Sequence, residues 1–282
     1  MKLVRTGARG MEEPGMIDAD GTLRSLVGIV PDIDGPALSP DMLDRLRGID
    51  PATLPKVPEG TRIGPCVGRV GKLIGIGLNY SDHAIEAGMP IPGEPIVFLK
   101  ATTAIAGPYD DVILPPSAKK ADWEVELAFV IGARARHVSE ADAMAHVAGF
   151  CIVNDISERS WQSEREGQWT KGKSYDGFAP MGPWLVTMDE VADPDDLAMT
   201  LDVSGVRRQD GSTRTMIFGV ATLVSYLSEF MTLEPGDVIT TGTPPGVGLG
   251  MRPQVWLQDG DVMRLEIAGL GHQQQTVRVI VP

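Results

Sequence analysis

Asp122-Trp123-Glu124-Val125-Glu126 runs without a break into Leu-Ala-Phe-Val-Ile-Gly at 127–132. A strand is expected here over residues 124–131, and two of its first three residues are carboxylates. Carboxylates separated by one residue share a face of a β-strand, with α-carbons roughly 6–7 Å apart. Their side chains are long enough to converge on one hard cation, which takes oxygen ligands. The alternative is that alternating glutamates mark the wet face of a half-buried strand. A third ligand, a base and an anion grip elsewhere in the chain would decide between the two.

With 282 residues the chain can form one large domain, or one large and one small. A hydrophobic content of 43%, with 33 Gly and 22 Pro, describes a folded, turn-rich globule. A net charge of −13 argues against a nucleic-acid partner, because no basic stripe offsets phosphate repulsion. Lys2, Arg5, Arg9 and Arg24 are scattered among acids and glycines. No basic-then-apolar signal opens the chain, and no apolar run approaches the roughly 20 residues that span a bilayer. A cytoplasmic protein without a membrane partner is the expectation. Cys66 and Cys151 are too few and too far apart in sequence for a disulfide framework or zinc site, and read as two buried thiols.

Residues 1–70 differ from the rest. Gly10, Gly15 and Gly21 punctuate short segments, Ser39-Pro40-Asp41 caps a brief helix through about Leu46, and Pro51, Pro55, Pro58 and Pro65 follow. This stretch reads as a small N-terminal domain, with a second domain over 71–282. In the latter, strands are expected at 73–76, 96–99, 124–131, 149–153, 184–187, 199–203, 238–241, 262–267 and 276–280, and helices at 139–147 and 219–230. Many strands and few helices give an α+β, β-dominated fold.

Asp155 closes Cys151-Ile-Val-Asn-Asp155 at a strand tip and supplies a third carboxylate for Glu124 and Glu126. Three carboxylates leave positions on Mg²⁺ for water and a bidentate substrate; Asn-Asp after a strand is also ordinary turn chemistry. Arg159, Gln162 and Lys173 follow, suited to an anionic substrate or a developing oxyanion, or else forming a solvated basic cluster. His83 and Glu86 lie three apart, so on a helical turn they touch, and a carboxylate beside an imidazole makes a general base. The same spacing also occurs in plain surface contacts. Gly75-x-Gly77 does not open a dinucleotide site, because Tyr80 stands at the third glycine position. Thr240-Thr-Gly-Thr-Pro-Pro-Gly-Val-Gly248 lacks the Lys-Ser/Thr of a phosphate loop and reads as the wall of a small-molecule site, with Thr243 offering a hydroxyl. Lys100 is either a further anion contact or a snorkelling strand-end lysine.

Several ordered motifs together resemble the fumarylacetoacetate hydrolase family over roughly residues 70–282. They are Gly-Leu-Asn-Tyr-x-Asp-His-x-x-Glu (77–86), Asp-Trp-Glu-Val-Glu-Leu (122–127), Asn-Asp-x-x-x-Arg-x-x-Gln (154–162), Gly-Lys-Ser-Tyr-Asp (172–176), Gly-Pro-Trp-Leu-Val-Thr (182–187), the run 233–248 and Gly-Asp-Val (260–262). The resemblance implies a mixed-sheet pseudo-barrel that forms homodimers, with Mg²⁺ or Mn²⁺ on Glu124, Glu126 and Asp155. It also implies a His83–Glu86 dyad on a lid helix, and contacts to a 2-oxo or 2,4-dioxo acid from Arg159, Gln162, Lys173 and Thr243. Pro31-Asp-Ile-Asp-Gly35 and Phe-Leu-Lys-Ala-Thr at 98–102 are similar to bacterial hydrolases of 2,4-diketo-3-deoxy-L-rhamnonate. Val203-Ser-Gly-Val, where relatives carry Val-Asn-Gly, departs from the pattern in a turn. The expected activity is metal-dependent carbon–carbon hydrolysis, with decarboxylation of oxaloacetate-like acids, acylpyruvate hydrolysis, isomerisation of unsaturated dioxo acids, or metal binding without turnover as rivals.

Overall fold

Val125–Ile131 is the central strand of the structure, a computed structural model that describes residues 1–280. Residues 281 and 282, the end of the expected 71–282 unit, lie outside the described residues. The strand is buried on both faces, and Glu124 just before it is buried too, so neither Glu124 nor Glu126 marks a wet side. It pairs antiparallel with Val147–Asn154 on one side, setting Glu126 opposite Val153. On the other side Val238–Thr240 runs antiparallel to it and then parallel to Leu73–Gly77. Ile96–Lys100 closes that end of a ten-stranded mixed sheet.

A second sheet of five strands, from Val112–Leu114, Ala198–Val203, Val206–Ser212, Val262–Ile267 and Gly271–Val279, packs across the first. Side-chain amides join the two: Val125 N donates to Gln209 Oε1 at 3.0 Å, and Asn154 Nδ2 donates to Gln275 Oε1 at 3.0 Å. The result is the expected strand-dominated α+β architecture, with a core that includes Trp123, Leu127, Phe129, Phe150 and Leu265.

Several expected elements change in extent, each for a visible reason. The expected strand 184–187 is the end of Ala179–Thr187. Pro180 and Pro183 obscure its start in the sequence; Pro183 falls at a register shift opposite Phe150 to Ile152 of the neighbouring strand, and Pro180 lies beyond it, opposite Ala106. Gly271–Val279 replaces 276–280, because Gln273 and Gln275 point inward and hide the alternation; Gln273 Nε2 donates to Ile152 O at 2.8 Å. The helix expected at 139–147 is only Glu140–Ala143 followed by a 3₁₀ turn, since Val147 already belongs to the next strand. The helix Val220–Phe230 matches its expectation, with Gly219 as its N-cap. Pro40–Arg47 is the short helix after Ser39.

Three strands in the first 70 residues, Lys2–Thr6, Glu13–Ile17 and Leu23–Ser25, were not expected. They extend the large sheet through the antiparallel pairing of Lys2–Thr6 with Ala179–Thr187. Arg62 ties the segment down further with a bidentate bond to Asp110 at 2.7 and 2.5 Å. Cys66 and Cys151 are both free and buried. They are neighbours in space, and hydrogen bonding with Cys66, together with burial, pushes the Cys151 thiol well above its usual pKa. Among the described residues no helix is long and apolar enough to cross a membrane.

Candidate active site and metal centre

The three carboxylates come together because two adjacent strands deliver them. Glu126 sits in the ladder of the central strand. Glu124 lies just before it, and its backbone N–H donates to Asn154 Oδ1 at 3.3 Å. Asp155 leaves the end of Val147–Asn154 with its own N–H bonded to Glu124 O at 2.9 Å. One oxygen from each of Glu124, Glu126 and Asp155 lies within 4.8 Å of the others. Glu124 is 5% exposed, Glu126 2% and Asp155 0%.

Cations partly offset this buried charge. Lys173 Nζ donates to Glu124 Oε2 and to Asp155 Oδ2, both at 2.6 Å. Arg159 Nη2 reaches Glu124 Oε1 at 2.6 Å, and its Nε reaches Asp122 Oδ2 at 2.8 Å. Burial raises the Glu124 pKa, but Lys173 and Arg159 overcome it and hold the carboxyl well below its usual range. Burial lowers the pKa of Lys173, and Asp155 and Glu124 more than restore it.

Lys100 corrects an expectation. It does not line the cavity and contacts no substrate space. Its ammonium is fully buried behind Asp155, where it donates to Asp155 Oδ1, to Ile156 O at 3.2 Å and to Phe178 O at 2.9 Å. All three donors are used, so it is neither an anion contact nor a snorkelling side chain. Burial pulls its pKa below the usual lysine value.

Glu126 is the carboxylate left without a cationic side chain. Its Oε2 accepts the Gly242 N–H at 3.1 Å, and the Thr240 hydroxyl stands beside the carboxyl. Burial first, then the charges of Asp155 and Glu124, push its pKa well above the usual range. With Asp122 included, four carboxylates face three cations here, and the surplus negative charge falls on Glu126. An all-oxygen donor set with an uncompensated buried carboxylate fits a hard divalent cation.

The dyad closes the same cavity from the short helix Ser81–Glu86. His83 Nδ1 lies 3.0 Å from Glu86 Oε2. A carboxylate at Nδ1 selects the Nδ1–H tautomer and leaves Nε2 to accept a proton. Glu86 is itself held, its Oε1 accepting the Gly246 N–H at 3.0 Å. The glycine-rich loop thus turns its amides toward carboxylates of the protein: Gly242 to Glu126, Gly246 to Glu86 and Gly248 to Asp122. Gly246 has φ +106°, and a Cβ there would stand 1.9 Å from Arg208 O, so only glycine fits.

Thr243 lines the cavity, but its hydroxyl donates to Val125 O at 2.9 Å and accepts from Gln209 Nε2 at 2.8 Å. Gln162 accepts from Arg159 Nη1 at 3.0 Å and presents its amide nitrogen. The cavity measures about 420 Å³. One wall is the Phe98–Trp169 pair, with ring centroids 5.6 Å apart. That wall explains the Gly75-x-Gly77 spacing: a Cβ on either glycine would stand 2.2 Å from Phe98 or Trp169 ring carbons.

Residues 72–278 match the model of the fumarylacetoacetate hydrolase C-terminal family. The chain belongs to the fumarylacetoacetate hydrolase family. A Burkholderia multivorans protein, named only provisionally as a hydrolase, is 60% identical over 279 residues, covering 99% of both chains. A fumarylacetoacetate hydrolase from Exiguobacterium antarcticum superposes with a TM-score of 0.85 at 36% identity, over 99% of this chain and 100% of that one. A maleylpyruvate hydrolase from Sphingobium, solved with manganese(II) and pyruvate, gives 0.80 at 30% identity over 99% of both.

Against this family background, the sequence left some contributors without a role. Asp122 stood inside the quoted motif, and its function shows only through four hydrogen bonds. Trp169, Leu249, Arg252 and Gln254 line the cavity from loops whose course no spacing reveals. The aspect of Trp169 that was readable is its pairing with a glycine, and that requires knowing that strand Leu73–Gly77 lies beneath it.

Proposed function

We propose that this protein hydrolyses a carbon–carbon bond in a 2,4-dioxo acid, using Mg²⁺ or Mn²⁺ held by Glu124, Glu126 and Asp155. The observation that carries the reading is Glu126, a buried carboxylate without a cationic side chain, in one cavity with the His83–Glu86 dyad and the Arg159, Gln162 and Lys173 donors. The relative solved with manganese(II) and pyruvate supports the cation and the product class.

A divalent cation bound there would supply Lewis-acid polarisation to the carboxylate and 2-oxo oxygens of the substrate. His83 Nε2, oriented by Glu86, takes a proton from water as the hydroxide attacks the 4-oxo carbon. The bond between carbons 3 and 4 then breaks, its electron pair passing into the enolate of pyruvate. Lys173 and Arg159 stabilise that charge with the N–H donors they do not give to carboxylates. The proton held by His83 returns to carbon 3, and the acyl half leaves as a carboxylic acid. Gln162 and the Thr243 segment orient the oxo-acid end.

The finer proposal for the substrate is 2,4-diketo-3-deoxy-L-rhamnonate, giving pyruvate and lactate in sugar-acid breakdown. Its support is the resemblance at residues 31–35 and 98–102. A boundary near residue 70 belongs to the same proposal, since the family match begins at 72. So does a homodimer: Ile96–Lys100 is an outer strand of the sheet, with Val97 36% and Leu99 46% exposed.

The test is His83→Ala with a 2,4-dioxo acid and Mg²⁺. Metal and oxo-acid binding persist while release of pyruvate falls by about 10²–10⁴-fold, the usual contribution of a positioned base. Wild-type kcat in the variant would place the base elsewhere. Release of CO₂, or conversion without cleavage, would favour the decarboxylase or isomerase rival.

A further inference from the structure

We infer that Asp122 is a positioning residue that locks the substrate grip to the loop that holds the dyad. Its carboxylate is fully buried and has both oxygens saturated. Oδ1 accepts from Trp123 N at 2.9 Å and Gly248 N at 2.7 Å, while Oδ2 accepts from Leu249 N at 3.0 Å and Arg159 Nε at 2.8 Å. One side chain thereby joins two elements, the helix Arg159–Ser163 and the loop 242–250.

Arg159 is drawn to two carboxylates on different sides. Glu124 pulls it toward the metal triad through Nη2, and Asp122 holds Nε from behind. The second pull fixes the guanidinium plane, so that Nη1 meets Gln162 and the remaining N–H groups face the cavity. Without it the guanidinium would settle onto Glu124 and give those donors to the metal ligand. At the other end, Gly248 and Leu249 sit two and three residues beyond Gly246, whose N–H holds Glu86 against His83. Loss of Asp122 would leave the backbone N–H groups of Trp123, Gly248 and Leu249 without their acceptor and release that loop.

The inference rests on the reading of Arg159 as the grip for the oxo-acid end of the substrate. Asp122→Asn is the test, because it keeps shape and one acceptor oxygen while turning an NH₂ group toward N–H donors. Oxalate titrated onto the Mg²⁺-loaded protein reads the grip directly. The variant is expected to bind Mg²⁺ within about twofold of the parent and oxalate about tenfold or more weakly, the loss that follows when a charge-assisted hydrogen bond is weakened. In turnover, KM rises through Arg159 and kcat falls through Glu86. Oxalate affinity within about twofold of the parent in a folded variant would overturn the proposal. So would a lower melting temperature with kcat and KM per folded molecule unchanged.

Hydrogen exchange on the parent covers the case in which the variant does not fold. Adding oxalate to the Mg²⁺-loaded protein should slow exchange of the Gly248 and Leu249 amides, and unchanged exchange there would refute the coupling. If no dioxo acid is cleaved at all, the hydrolase reading fails, while oxalate binding and exchange still decide the role of Asp122.

Discussion

Replacing Glu126 by Gln should abolish metal stabilisation without unfolding the metal-free protein. The amide oxygen keeps the bond from Gly242 N–H, and the like-charge approach of Asp155 and Glu124 disappears. In the metal-free parent, burial and those two charges raise the Glu126 pKa. A carboxyl raised in this way holds more protons in the folded than in the unfolded chain between the ordinary carboxylate range and its raised value. Stability of the metal-free protein therefore falls as pH rises through that window, by up to about 1.4 kcal/mol per pH unit. The cation binds the ionised form, so its stabilising effect grows over the same window. At a concentration a hundred times Kd, metal contributes about 2.7 kcal/mol, which for a chain of this size raises Tm by about 5 °C. Thermal melts with and without MgCl₂ or MnCl₂, taken at a series of pH values upward from the ordinary carboxylate range, measure all of this. The parent should show a metal-induced rise that is larger at the higher pH, and Glu126→Gln should show neither the rise nor that part of the pH slope. A variant that keeps the rise, or a parent whose rise is independent of pH, would refute the assignment of Glu126.

Other perturbations separate the remaining roles. Lys100→Met removes a buried ammonium from Asp155 and should destabilise the fold by about 3–5 kcal/mol, measured by denaturant unfolding, while KM of the folded fraction stays near that of the parent; a large KM change with full stability would return Lys100 to the substrate. Gly77→Ala puts a Cβ against the Trp169 ring, whose far edge can move, so Tm should change by only a few degrees while KM for longer acyl tails rises; unchanged KM across tail lengths would remove Trp169 from the specificity wall. Glu86→Gln keeps the side-chain shape but weakens the hold on the His83 tautomer, and kcat should drop with Mg²⁺ binding unchanged, as followed by steady-state kinetics and metal titration.

How much of this was legible in the sequence depended on whether the information was local. The Glu124–Glu126 pair, the His83–Glu86 spacing and the Asn154-Asp155 strand end each lie within a few residues, and in the structure a helical turn joins the second while the paired ends of two adjacent strands bring the first and third together. Lys100 was not legible, because its alternative roles depend on whether the end of Ile96–Lys100 faces the cavity or the space behind Asp155. The glycine-rich loop was readable as the wall of a site, but not as a set of amide donors to Glu86, Asp122 and Glu126, since those partners lie more than a hundred residues away. The N-terminal strands escaped for a related reason. Glu13–Ile17 contains proline and glycine and gains its order from pairing with Lys2–Thr6, which itself leans on Ala179–Thr187.

Metal-dependent carbon–carbon cleavage is decided by release of pyruvate from a panel of acylpyruvates and diketo sugar acids, with the protein first stripped by EDTA and then resupplied with Mg²⁺ or Mn²⁺. The stripped protein should release none, and on addition of either ion pyruvate should form one for one with the matching carboxylic acid from at least one member of the panel. Undiminished release in EDTA, or no pyruvate from any 2,4-dioxo acid with metal present, would contradict metal-dependent cleavage.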